Sequence, residues 1–142
     1  MTIEALSPQD ALIAVMIAVS AVDQNMTDSE LASITAIIDI LPVFDDYDSD
    51  RTATVSNMVA DLFEEEDGLD ALLGLVEQAL PDHLRETAYA LACDVAAADK
   101  RVNMSELRFL EMLRHDLRVG RLAAAAIERG ARARHQRLEP RA

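Results

Sequence analysis

The sequence contains no tryptophan, one cysteine, four glycines and four prolines, and only 4% of its residues are aromatic. Each shortage removes an option. A lone Cys93 forms no internal disulfide, which excludes a cross-linked secreted scaffold and fits a reducing, cytoplasmic setting. No Gly-rich loop is present to cradle a phosphate. No C-x-x-C spacing points to a structural zinc. His83, His115 and His135 are widely separated and form no Ser-His-Asp or Cys-His set, so no enzyme is expected. Cys93 lies among Ala, Leu and Val at mid-helix, as a small core residue does. The N-terminal "MTIEALSPQD" lacks a basic stretch, so no signal peptide is expected. The longest apolar run, Ala11 to Val22, is interrupted by Ser20 and is too short to span a bilayer.

Basic residues are scarce in most of the chain. Residues 1–113 carry 23 acidic and 5 basic side chains, whereas residues 114–142 carry 3 acidic and 8 basic ones. The acidic body lacks the basic footprint that nucleic acid requires, so no nucleic-acid partner is expected. It suits a cation or a basic partner instead. The terminal arginines (Arg129, Arg132, Arg134, Arg137 and Arg141) read as a solvated tail. The acidic body opposes adsorption of that tail to anionic lipid, so peripheral membrane contact is not expected.

What the sequence has in quantity is helix-forming apolar residues. Its 142 residues are 51% apolar, enough for one domain with one core. Ala, Leu, Met and Glu dominate, and no strand pattern of useful length appears. Seven helical segments can be drawn. The first opens at Ser7-Pro8 with a stripe of Leu12, Val15, Met16, Val19 and Val22. The second follows Thr27 and stops at Pro42. The acidic loop "VFDDYDSD" leads, with Ser49 or Asp50 as cap, into a third over Arg51 to Glu65. Asp67-Gly68 breaks the chain before a fourth, which reaches Ala79. The fifth runs from Pro81 to Ala98, the sixth from after Asn103 to Leu117. The seventh follows Gly120, its apolar face ending near Arg132. The expected organisation is a helical domain over 1–134 and a basic flexible tail over 135–142.

A repeat underlies this series. "DQNMTDSE" (Asp23–Glu30) and "DKRVNMSE" (Asp99–Glu106) lie 76 residues apart. The same shift carries Leu12, Val15, Met16 and Val19 onto Ala88, Leu91, Ala92 and Val95. It carries Leu31, Ile34 and Ile37 onto Leu107, Leu110 and Leu113. Two copies are too few for a solenoid, so two related hairpins should pack together in one bundle. Each turn has a structural explanation. Thr27 and Asn103 are helix caps with Glu30 and Glu106 at the third helical position, the pattern of a capping box. Met26 with Leu31, and Val102 with Leu107, have the spacing of hydrophobic staples. Asp23 and Asp99 fit less easily, because each sits near a helix C-terminus, where the dipole disfavours an anion. Either an Asx-type bond to the turn backbone or a bound cation ligated by Asp and Glu would offset that. The turn is not an EF-hand: its Glu stands at position eight, not twelve. Asp46, Asp48 and Asp50 begin like an EF-hand, but Arg51 and Asn57 occupy its sixth and twelfth positions. "EEED" at residues 64–67 reads as a solvated helix end.

"ALACDVAAADKRVNMSELRFLEML", together with "AVSAVDQNMTDSELASI", resembles the TerB family of bacterial tellurite-resistance proteins and the related N-terminal domain of DjlA co-chaperones. Those families carry one or two copies of A-x-A-D-G-x-[IV]-x-x-x-E. The likeness covers nearly the whole chain and is best over residues 80–134. It implies an all-α, compact single-domain bundle of about seven helices with two pseudo-twofold related helical hairpins. It also implies a non-enzymatic, cytoplasmic interaction module of bacterial stress response with a protein partner. The family's link to divalent cations implies Asp23, Glu30, Asp99 and Glu106 as metal-ligand candidates, for calcium, magnesium, manganese or zinc. The family Gly is Gln24 in the first copy and Lys100 in the second. Lys100 puts a cation beside Asp99, so the first copy, which also has Asp28 nearby, is the better site. The other reading is a purely structural adaptor that docks a basic partner on its acidic face without metal.

Overall fold

The computed structural model describes residues 6–22, 26–98 and 103–139. Among them are seven α-helices and no strand: α1 (Pro8–Ala21), α2 (Asp28–Ile40), α3 (Arg51–Phe63), α4 (Gly68–Ala79), α5 (Arg85–Ala98), α6 (Met104–Asp116) and α7 (Arg121–Arg134). Short 3-10 turns at Pro42–Phe44 and Asp82–Leu84 complete the path. The chain is therefore all-α, as expected.

The centre of the bundle is α1. Every residue from Asp10 to Ser20 is buried, not only the stripe the spacing marks. A helix that is apolar all round has no solvent face to keep, and Ala11, Leu12, Ile13, Ala14, Val15 and Met16 supply that composition. Even Ser20 is buried, its hydroxyl donating to the Met16 carbonyl at 3.3 Å. Helix α5 packs along α1, and α2, α3, α4 and α6 also reach α1. The second hairpin repeats the first in register. Helix α2 begins at Asp28 and α6 at Met104, 76 residues later. Leu12 and Ala88, Val15 and Leu91, and Val19 and Val95 are buried pair by pair.

Several boundaries differ from expectation for local reasons. Helix α3 ends at Phe63 rather than Glu65, because Gly68 must pass against the end of the helix. A Cβ on Gly68 would stand 1.6 Å from the Leu62 carbonyl oxygen, so only glycine permits this crossing. Pro81 does not open α5 directly; a 3-10 turn intervenes and the helix starts at Arg85. Neither Ser49 nor Asp50 caps α3 with its side chain. The Asp50 N–H is taken by Asp48 Oδ1 at 3.0 Å, and turn bonds from the Arg51 and Thr52 N–H groups close the start instead. The Met26–Leu31 staple is not a buried contact, since the two residues are 39% and 53% exposed. Val102, the expected partner of Leu107, lies outside the described residues.

One ion pair, buried on its Asp10 side and open to solvent on its Arg51 side, fastens the first helix to the third. Asp10 is 2% exposed, and Arg51 donates to both of its oxygens, at 3.1 and 2.6 Å. Ser7 Oγ accepts from the Asp10 N–H at 3.0 Å and caps α1. Burial by itself raises the Asp10 carboxyl. The bonds from Arg51 and Ser7, with the guanidinium charge, outweigh it and hold the group below its ordinary 3.8. A depressed folded value means that the stabilisation is fully present above the unfolded value and is lost as pH falls through the folded one. Asp10→Asn should therefore cost about 1.5–3 kcal/mol at neutral pH, the worth of a charged hydrogen bond. The gap between variant and native chain should close below about pH 4 in urea melts. Gly68→Ala should cost about 3 kcal/mol or more in the same assay, because the clash is with backbone and the α3–α4 junction must shift.

Candidate functional site

The two repeated turns are the sequence-marked candidate. In the first, Thr27 and Glu30 form a complete capping box. Thr27 Oγ1 accepts from the Glu30 N–H at 3.1 Å. Glu30 Oε1 in return accepts from the Thr27 N–H and from its hydroxyl, both at 3.0 Å. In the second, Asn103 Oδ1 accepts from the Glu106 N–H at 2.9 Å. The capping grammar read from the sequence thus operates in both copies.

Helix capping does not require what else is seen here. Glu30 and Glu106 are each only 1% exposed. A capping-box glutamate ordinarily sits at the surface, where water solvates the carboxylate. Glu30 Oε2 is buried and has no hydrogen-bond partner among the described residues. Such an atom is rare in a native protein, because a buried acceptor without a donor costs about 1–3 kcal/mol, and more when charged. Asp23 and Asp99, the other two candidates, lie outside the described residues, as do Gln24 and Lys100. Among the described residues no three His, Cys, Asp or Glu side chains come together as a ligand set.

The other acidic stretches are engaged in turn geometry or face outward. In the acidic loop Asp46 adopts a left-handed φ of 63°. Gln9 Nε2 donates to the Val43 and Asp45 carbonyls at 3.0 and 3.3 Å and ties that loop to α1. Glu64, Glu65 and Glu66 are exposed.

On the other hairpin, Tyr89 is buried on α5 and its hydroxyl donates to Glu128 Oε2 on α7 at 2.8 Å. Burial and this bond drive the phenol well above its usual range. Cys93, one turn along, is 6% exposed. Burial pushes its thiol up to about 12, and its hydrogen bond with Tyr89 offsets only part of that. Asp94 accepts from Arg134 at 2.7 Å and lies 3.4 Å from His135 Nε2. Helix α7 is thus pinned to α5 by polar bonds at two places. These partners stand 39 and 40 residues apart in the chain, and no local pattern marks them.

The family model described as tellurite resistance protein TerB matches residues 9–129. The chain belongs to the TerB family. The matched span runs from the first turn of α1 into α7 and takes in both hairpins and both turns. Comparison with curated proteins and with solved structures finds no match. Among the described residues no helix is long and apolar enough to cross a membrane.

The TerB chain places its single thiol where it is a core group. At pH 8 a disulfide-exchange reagent should label native Cys93 at least about a hundredfold more slowly than the urea-unfolded chain, since both access and thiolate fraction are withheld. Labelling at equal rates in the two states would place the thiol at the surface.

Proposed function

We propose that this TerB chain is a non-enzymatic, cytoplasmic interaction module of a bacterial tellurite-resistance or stress response, in which a divalent cation sets the state of the repeated turns. Asp23 and Glu30 hold the first cation; Asp99 and Glu106 form a weaker second site, with Lys100 beside Asp99. The observation that carries this reading is Glu30 Oε2, a buried carboxylate oxygen with no hydrogen-bond partner among the described residues. The capping box uses Oε1 and leaves Oε2 for another ligand. A cation there would neutralise a carboxylate that protein donors do not. It would also tie the helix start to the preceding Asp23, answering the dipole cost of an anion at a helix end. The donors are carboxylate oxygens, which suit calcium, magnesium or manganese better than zinc.

The cation would act by fixing the joint between the helices of a hairpin. The turn between α1 and α2 would stiffen, and the surface formed by those helices would be held in one arrangement for a protein partner. This assigns the buried glutamates two tasks, capping the helix and ligating the ion.

Calorimetric titration with calcium, magnesium, manganese and zinc chlorides tests the reading. The native chain should bind at least one of them more tightly than millimolar, and at saturation of about 100 times Kd its stability should rise by about 2.7 kcal/mol. Glu30→Gln keeps a residue able to complete the capping box, so it should retain the fold and lose at least about tenfold in affinity. Glu106→Gln should affect only the weaker site. Absence of binding by all four ions, or full affinity in Glu30→Gln, would sink the cation model.

A further inference from the structure

Helices α6 and α7 both pack on α5 and make little contact with each other. The gap between them is a groove of about 780 Å³. Its floor is apolar and low: Ala96 and Ala97 from α5, Leu107 and Leu110 from α6, Ala124 and Ala125 from α7. Leu107 is 46% exposed despite its place on this floor. The small side chains let an incoming ridge approach the backbone closely, while the two leucines give it something to pack on.

The rim has the opposite charge to the rest of the chain. Arg114, Arg121, Arg132 and Arg137 line it, against Glu111 and Glu128. None of the four arginines forms a salt bridge with a described residue, whereas neighbouring Arg134 is taken by Asp94. Glu128 is already the acceptor for Tyr89. Four guanidinium groups without an ion-pair partner among the described residues thus surround an apolar floor in a chain whose net charge is −13. A guanidinium pairs most strongly with a carboxylate, often through two bonds, and arginine is enriched at the cores of protein interfaces.

From this arrangement we infer that the groove between α6 and α7 docks an acidic amphipathic helix of a partner protein. The apolar ridge of that helix lies on the Leu107–Leu110–Ala125 floor. Its Asp and Glu flanks face Arg114 on one wall and Arg121 and Arg132 on the other. A helix matches the walls, since α7 with its 14 residues offers about 21 Å of parallel length, and ridge-in-groove docking reads as anchors at i, i+3 and i+7. The inference supplies a partner chemistry to the interaction-module reading and rests on that part of it, but it needs no bound cation.

The test is selection of helical peptides with randomised flanks from a display library against the full-length chain, in chelator so that the cation turns play no part. Enriched peptides should carry an apolar ridge with Asp or Glu on both sides. Measured by fluorescence anisotropy, they should lose at least about tenfold in affinity for Arg121→Glu with Arg132→Glu, and keep most of it for the corresponding lysine pair. Both arginines are exposed, and the fold of each variant is checked by circular dichroism. Affinity should also fall steeply with added salt. Enrichment of basic or uncharged peptides, no enrichment, or binding indifferent to the glutamate variants would overturn the inference. So would a dimer in sedimentation that the same glutamate variants dissociate, because the groove would then belong to a second copy of the chain.

Discussion

The packing of α1 against α5 is the contact on which the rest of the structure depends. Helix α1 has no polar face to give to water, so it folds only if other helices enclose it. Its repeat counterpart α5 takes one side, and α2, α3, α4 and α6 take the remainder. Everything that bears on function is placed relative to that pair. The turns that follow α1 and precede α6 lie at the ends of these central helices, and α7 has its seat on α5.

The duplication explains why the two glutamates are buried alike. A capping glutamate on an isolated hairpin would reach into solvent. Helix α2 packs on α1 and α5, as does α6, and in the first turn of each only the Glu faces inward and is buried. In the first copy the capping residue is thereby an interior carboxylate whose Oε2 has no hydrogen-bond partner among the described residues. The TerB match over residues 9–129 spans both copies, so the pairing belongs to the family domain as a whole rather than to an appended segment.

Much of the fold was legible in the sequence because its signals are local. Thr27 and Asn103 announce helix starts, Pro42 and Gly120 punctuate, and the 76-residue shift aligns α2 with α6. The burial of Glu30 and Glu106 was not legible, since it depends on where the second hairpin lands. Neither was the bond from Arg51 to Asp10 across 41 residues. A clue existed there: Arg51 is the only Arg or Lys before Arg85, and a solitary cation in so acidic a stretch is well placed to be claimed by a carboxylate. The groove escaped notice for a different reason. Two of its four arginines, Arg132 and Arg137, read in sequence as part of a solvated run, and only the spacing of α6 and α7 on α5 assembles them with Arg114 and Arg121 around an apolar floor.

Helix α7 contributes only Ala124 and Ala131 as buried side chains. It also lays Ala123 and Ile127 against the core, and the Tyr89–Glu128 bond near its middle and the Asp94 cluster at its end add polar ties to α5. Among the described residues α7 packs chiefly on α5, so its placement depends on that one helix rather than on α1. Helix α5 thus faces α1 on one side and α7 on another, so whatever settles beside α7 rests on the helix that also backs the core.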